Sequence, residues 1–431
     1  MRYKYLVLAL IPVLSLFLTA CTLKDLPVIG KFLGPQESNT PVSLMFWGMW
    51  EPSSVYEPVI KSYKEQKPNV NITYENRDSG GDLFDYKERV YQRSKSESIP
   101  DIIMVHNSWI PRMVNLGLLA PLSGDKLKDF VYKDNFYPVA EESGVVNGQV
   151  YAFPAYHDGL VLVYNKSHFK EINQTTPPSK WEEFRVLALK LTIRGEDQNL
   201  IRAGAAIGSA DNIDNFGDIL GLVWSQAGVK IPDGIDATPA VDAFSFYTDF
   251  VKEDQVWSNE MPEAVTSFVR GQASMIFVPS WQVLRILNEM ENDSDVGVAP
   301  VPQALDTGQR NWASFWMYAV PANAANPSAA WDFITYVTTP AQEKILYNEK
   351  IKQHMFGSPY AHKSLKDNLG SNPFIGPVLK SAENAKSAEI AGRSGNKNQT
   401  NILKEAVNSV LLGVADSKEA LTKAKQSFSK L

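Results

Sequence analysis

Cysteine is nearly absent, with Cys21 the only one in 431 residues. That excludes an intrachain disulfide and any metal site built on paired thiolates. Histidine is scarce as well: His106, His157, His168, His354 and His362 show no metal-ligand spacing. Excess positive charge is also missing. The formal net charge is -6, and leaving out Arg2 and Lys4 with the first twenty residues gives 40 basic against 48 acidic side chains, a net of -8. A nucleic-acid binder carries a basic face, so that class is disfavoured. No G-x-S-x-G, H-E-x-x-H or G-x-x-x-x-G-K-[ST] occurs, which leaves hydrolase-elbow, zincin and P-loop chemistry without support. No adjacent tyrosine pair of the kind used for ferric ion stands out.

What is present is ordinary globular material, with 44% hydrophobic and 21% charged residues. The length exceeds the ~250–300 residues at which one core stops growing, so two lobes are expected. At the N-terminus Arg2 and Lys4 precede an apolar run from Tyr5 to Leu18. That run is short of the ~20 residues a spanning helix needs and has the shape of a signal peptide. Leu18-Thr19-Ala20-Cys21 resembles the lipobox of bacterial lipoproteins. The resemblance implies removal of residues 1–20, acylation of Cys21 and an extracytoplasmic, lipid-anchored protein. Residues 21–41, rich in proline, glycine and polar side chains, read as the tether.

From Pro41 onward, short apolar runs alternate with helical patterns, the signature of an α/β protein with mainly parallel sheets. Candidate strands are Val42–Trp47, Ile102–Val105, Leu160–Tyr164, Ala203–Ile207, Ser274–Val278 and Val296–Ala299. Capping boxes at Ser54…Glu57 and Ser179…Glu182 predict helix starts. Thr238, Asn326 and Thr339 each place a capping residue before proline. Gly117, Gly228 and Gly271 fall where helices stop. Asn147-Gly148 between Val145-Val146 and Val150-Tyr151 predicts a two-residue hairpin.

In open α/β sheets ligands bind beyond the carboxyl ends of strands. There the sequence places Trp47, Trp50 and Glu51, then Asn107 and Trp109, then His157 and Asp158, then Asn212, Trp281 and Trp312. Flat aromatics among neutral amides and a few carboxylates suit sugars, whose C–H faces lie on rings and whose hydroxyls need planar donors and acceptors. Trp181, Trp224 and Trp331 stand at helical spacing among apolar residues and read as core.

Several stretches resemble the extracellular solute-binding proteins that deliver sugars to ABC importers. They are Pro100–Ile103 with Leu116–Leu122, Val146–Pro154 with Val163–Lys166, Pro178–Phe184, Phe268–Met275 with Trp281, and Asn326–Leu346. The order of these degenerate motifs along Pro41–Leu431 carries the likeness. It implies a type II periplasmic-binding-protein-like fold with two α/β lobes, three hinge crossings and a central cleft. The N-lobe is expected at 42–155 and 303–325, the C-lobe at 160–299 and 328–431, with crossings near Ala155–Gly159, Pro300–Gln303 and Pro321–Pro327. The expected function is capture of an extracellular sugar or oligosaccharide, with no catalysis, cofactor or metal. The expected partners are permease subunits and, through Cys21, the membrane; the protein is expected to be a monomer. Arg393–Gln399, where maltose-binding members present an aromatic, points to a smaller or differently decorated saccharide. Two other readings stand beside this one. Tryptophans with Glu51 and Asp158 suit a polyamine or betaine-like cation through cation–π contacts, and Glu51, Asp158 and Asp211 are the carboxylates a cell-surface glycosidase would draw on.

Overall fold

The computed structural model describes residues 40–78, 83–95, 99–123, 132–392 and 395–431. The signal segment, Cys21 and nearly all of the tether lie outside the described residues. The strands are β1 (Val42–Gly48), β2 (Val70–Asn76), β3 (Ile102–His106), β4 (Val145–Val146), β5 (Gln149–Val150) and β6 (Ala152–Pro154). They continue with β7 (Leu160–Asn165), β8 (Ile193–Arg194), β9 (Leu200–Arg202), β10 (Met275–Pro279), β11 (Val296–Ala299) and β12 (Trp316–Ala319).

Two sheets organise the chain. A five-stranded sheet runs in the order β2-β1-β3-β12-β6, and a three-stranded sheet in the order β10-β7-β11. β1 is parallel to β2 and β3, whereas β12 is antiparallel to both its neighbours. In the second sheet β10 and β11 are both antiparallel to β7, against the expectation of mainly parallel pairing. An apolar run reports burial on both faces but not strand direction. β3, β7 and β10 are such runs, buried throughout. Ala203–Ile207 forms no full strand and touches the sheet region through isolated parallel bridges, Ala203 to Ala273 and Ala206 to Ile276.

The local signals shift by a residue in places. Helix Ser53–Gln66 follows Pro52 without a side-chain cap, and Ser53 donates to Glu57 instead. In helix Trp181–Leu191 it is Glu183, one residue beyond the expected Glu182, that accepts from the Ser179 and Lys180 backbone. Thr238 is the first helical residue after Ala237, while Asn326 and Thr339 sit directly before their helices. The hairpin turn holds, with φ of 52° at Asn147 and 75° at Gly148 between the paired β4 and β5, as a two-residue turn with both central residues left-handed requires.

Three passages link the sheets and lie side by side. The first, residues 155–159, joins β6 to β7. The second joins β11 to β12: Gln303 still bridges to Lys180, and only Ala313 comes alongside Gly159. The third comes late. Helices Pro327–Val337 and Pro340–Lys350 pack on helix Ser53–Gln66 of the five-stranded side, with Phe333 edge-on to Phe46 and Trp331 edge-on to Phe153. Their apolar faces need that sheet, so no passage occurs at Pro321–Pro327. The chain crosses after Lys350, where the His157 amide donates to the Pro359 carbonyl at 3.0 Å, before helix Gly376–Lys380 packs on β7 and β11. Among the described residues no helix is long and apolar enough to cross a membrane.

Candidate functional site

The strand ends that matter converge on those passages. His106 ends β3 opposite Trp316 at the start of β12, and Pro279 ends β10 opposite Leu160 at the start of β7. Two clusters form there, joined by residues 312–316.

The first cluster is aromatic. Trp109, His106, Trp50 and Tyr86 surround Trp316 at ring-centroid distances of 5.3, 5.7, 5.9 and 6.2 Å. Trp109 is only 1% exposed, so it packs rather than offering a ring-stacking face. Trp47 is likewise buried, on the face of β1 opposite Phe46 and beneath Arg77, whose guanidinium stands 4.2 Å from its ring. Trp50 behaves differently. A φ of 69° turns the chain sharply after β1 and leaves the indole 41% exposed. A bulky residue in the left-handed region is costly and points to a constraint on where its side chain must stand.

The second cluster is acidic and buried. Asp158 Oδ1 accepts from the Gly159 amide at 2.7 Å, the Ser280 amide at 3.0 Å and the Ser280 hydroxyl at 2.6 Å. Burial pushes its carboxyl up to about 6, with those bonds working in the opposite direction. Asp218, in helix Phe216–Gln226, accepts from Trp312 Nε1 at 2.9 Å and the Gly392 amide at 3.2 Å. Burial raises it to about 7, and the Asp158 charge adds to the shift. Trp312 is therefore a buried donor rather than a stacking surface. Beyond Ser280, Trp281 opens helix Gln282–Glu289 with half its surface exposed. Asp158 thus fixes the turn that presents Trp281.

The remaining expected residues divide the same way. His157 lies between Tyr137 and Phe315. Burial lowers its pKa to about 3, so it is neutral near pH 7. Asn212 spends its amide on the Ser258 and Met261 carbonyls and its oxygen on Ser209 and Trp257, a local brace for its loop. Asn107 donates to Ser143 and Ser387 and accepts from the Phe315 amide. It lines a pocket with Ser108, Glu142, Ser143, Ser387 and Glu389. Glu51 pairs with the buried Lys350 at 2.9 Å, and Asp211 pairs with Lys404.

Sequence reasoning did not single out Asp218 or Lys87, and it took Asn396 only as part of the stretch Arg393–Gln399. A lone carboxylate inside the apolar run Phe216–Trp224 was the available signal for the first. Lys87 is buried, donates to the Gly395 carbonyl and Asn396 Oδ1, and is lowered to about 8 by burial. No group of three His, Cys, Asp or Glu side chains that would hold a metal occurs among the described residues. The arrangement is one of fixed hydrogen-bonding groups and two half-exposed indoles.

Residues 50–344 match the family described as bacterial extracellular solute-binding protein. The chain is similar to the maltotriose-binding protein of Pyrococcus abyssi, 22% identical over 352 residues that cover 79% of this chain and 68% of the relative. It is similar also to a maltooligosaccharide ABC transporter solute-binding lipoprotein of Streptococcus pneumoniae, 25% identical over 316 residues, 69% of this chain and 68% of the relative. Its fold resembles a cyclo/maltodextrin-binding protein solved with maltotetraose, with a TM-score of 0.72, 16% identity and coverage of 92% and 98% of the two chains.

Proposed function

The chain belongs to the bacterial extracellular solute-binding proteins, and from that premise we propose that it captures an extracellular sugar or oligosaccharide between its two sheets and delivers it to the permease of an ABC importer. The observation that carries the reading is the pair of half-exposed indoles, Trp50 after β1 and Trp281 after β10, one at the strand ends of each sheet. Large apolar rings left in water are unfavourable alone and favourable once covered. A pyranose C–H face is a matching cover. Beside the loop after β3, Asn107, Ser108 and Ser143 line a pocket with neutral amide and hydroxyl groups of the kind that pair with sugar hydroxyls.

The mechanism is binding without chemistry. Ligand that touches both sheets favours the closed form by its differential affinity and shifts the population toward it. The lobes are proposed as 42–155 with 316–350, and 160–299 with 376–431, joined by the three passages. Acylation of Cys21 would hold the protein at the membrane surface and raise its effective concentration near the permease. Trp47, Trp109, Trp312, His157, Asp158 and Asn212 then serve as support for ligand-facing groups. The sugar reading is supported over its rivals by the partners of their carboxylates: Glu51 is ion-paired with Lys350, Asp211 with Lys404, and Asp158 is hydrogen-bonded by Ser280.

The test follows intrinsic fluorescence and melting of the form starting at Thr22 across mono- and oligosaccharides, polyamines and betaines. A saturable response to one saccharide is expected. Saturation by cations alone, or turnover of a glycoside, would overturn the proposal.

A further inference from the structure

The loop after β3 is covered by a stretch of chain near the C-terminus. Residues 386–392 enter it from the three-stranded side, where the Ala313 amide donates to the Lys386 carbonyl and the Gly392 amide to Asp218. Ser387 takes a hydrogen bond from Asn107 at 2.8 Å, and the Ala391 carbonyl takes one from Ser108 at 3.1 Å. Gly392 lies so close to the His106 ring, and Gly395 to the Trp109 indole, that a Cβ at either would run into the ring. Asn396 completes the cover, donating to Ser108 Oγ and the Ala391 carbonyl, each at 2.7 Å.

Lys87 holds this cover down from the other side. Its Nζ reaches the Gly395 carbonyl at 2.8 Å and Asn396 Oδ1 at 3.0 Å, and stands 5.4 Å from the Trp109 ring centroid. A buried ammonium is tolerated only when hydrogen-bonded, so the two elements are tightly coupled. Every residue from His106 to Trp109 is thus met by the late stretch. What is left beside it is a small pocket lined by Asn107, Ser108, Ser143, Ser387 and Glu389.

We propose that residues 386–392 with Gly395 and Asn396 set the length of saccharide this protein accepts, closing the cleft beside Trp109 so that short saccharides fit and longer chains do not. The inference rests on the sugar reading above and adds a size limit to it. The test is calorimetric titration of the full chain in detergent with one- to six-ring members of the saccharide series that binds. Affinity for one or two rings is expected to exceed that for four or more by at least tenfold. In Lys87→Met/Asn396→Ala, which removes the buried charge with its partner, that ratio is expected to fall at least threefold. Equal or rising wild-type affinity through four rings overturns the size limit alone, as does an unchanged ratio in the folded variant. If the variant does not fold, the wild-type series decides by itself. Failure of the wild type to bind any saccharide instead overturns the sugar reading beneath it.

Discussion

At the residue scale, tryptophans of equal hydrophobicity have opposite roles, and substitution separates them. Trp281 is half exposed with its indole beyond the strand end, so Trp281→Ala removes little packing. Its melting temperature is expected to stay within about 2 °C of wild type, as for a surface substitution, while saccharide binding is lost. Trp312 is buried and donates to Asp218. Trp312→Ala leaves a cavity and removes a donor from a buried carboxyl, which costs about 3–5 kcal/mol. Urea unfolding of the two variants checks both; equal destabilisation would contradict the assignment. Asp218 itself gives a pH signature. Burial holds its folded pKa at about 7, above the ordinary carboxyl value of 3.8, so the folded state keeps a proton that the unfolded state has lost. The contribution is full below the unfolded pKa, declines as pH rises between the two values, and is flat above the folded one. Asp218→Asn is therefore expected to flatten the loss of stability between pH 4 and 7, measured by urea unfolding at several pH values. Parallel wild-type and variant curves would show that Asp218 does not titrate as described.

At the element scale, the hairpin offers a further prediction. Gly148, at a φ of 75°, has no neighbouring atom within reach of an added Cβ, so Gly148→Ala meets only backbone strain. A loss of about 1 kcal/mol in unfolding free energy is expected. No measurable loss would mean that the turn adopts another conformation in solution. The hairpin was legible because Asn-Gly dictates its own geometry from two residues. β1, β3, β7, β10 and β11 were legible for a similar reason, each being a local apolar run. Strand direction was not, since β10 and β11 pair with β7 through long connections that local pattern does not encode. The third passage was misplaced for a comparable reason: the prolines near 321–327 mark a strand end and a helix start, and only the packing of Phe333 on Phe46 shows which sheet that helix covers. Among the expected site residues, the exposure of Trp50 was legible from the glycine before the turn. Trp47, Trp109 and Trp312 were not, because Arg77, Gly395 and Asp218, which cover or bind them, lie 30 to 286 positions away in sequence.

For the whole molecule, the consequence is that ligand and fold are thermodynamically linked. The sheets meet through residues from both sides: Asn107 with Ser387, His106 with Ser314 at 3.0 Å, and Lys87 with Asn396. A ligand that bridges the same gap binds only the folded chain and favours its closed form. At a free concentration one hundred times Kd this linkage adds about 2.7 kcal/mol. Unfolding the body carries an entropy of about 2.1 cal/mol/K per residue, and the body spans Val42–Leu431. The two figures together predict a rise in melting temperature of about 3 °C at that ligand concentration. The same titration followed by small-angle scattering is expected to show a smaller radius of gyration as ligand saturates, because closure moves the sheets as bodies. A melting shift with an unchanged radius would mean that ligand binds a cleft already closed, with the polar contacts between the sheets holding it shut. Trp281→Ala should remove both responses together, since the linkage passes through binding.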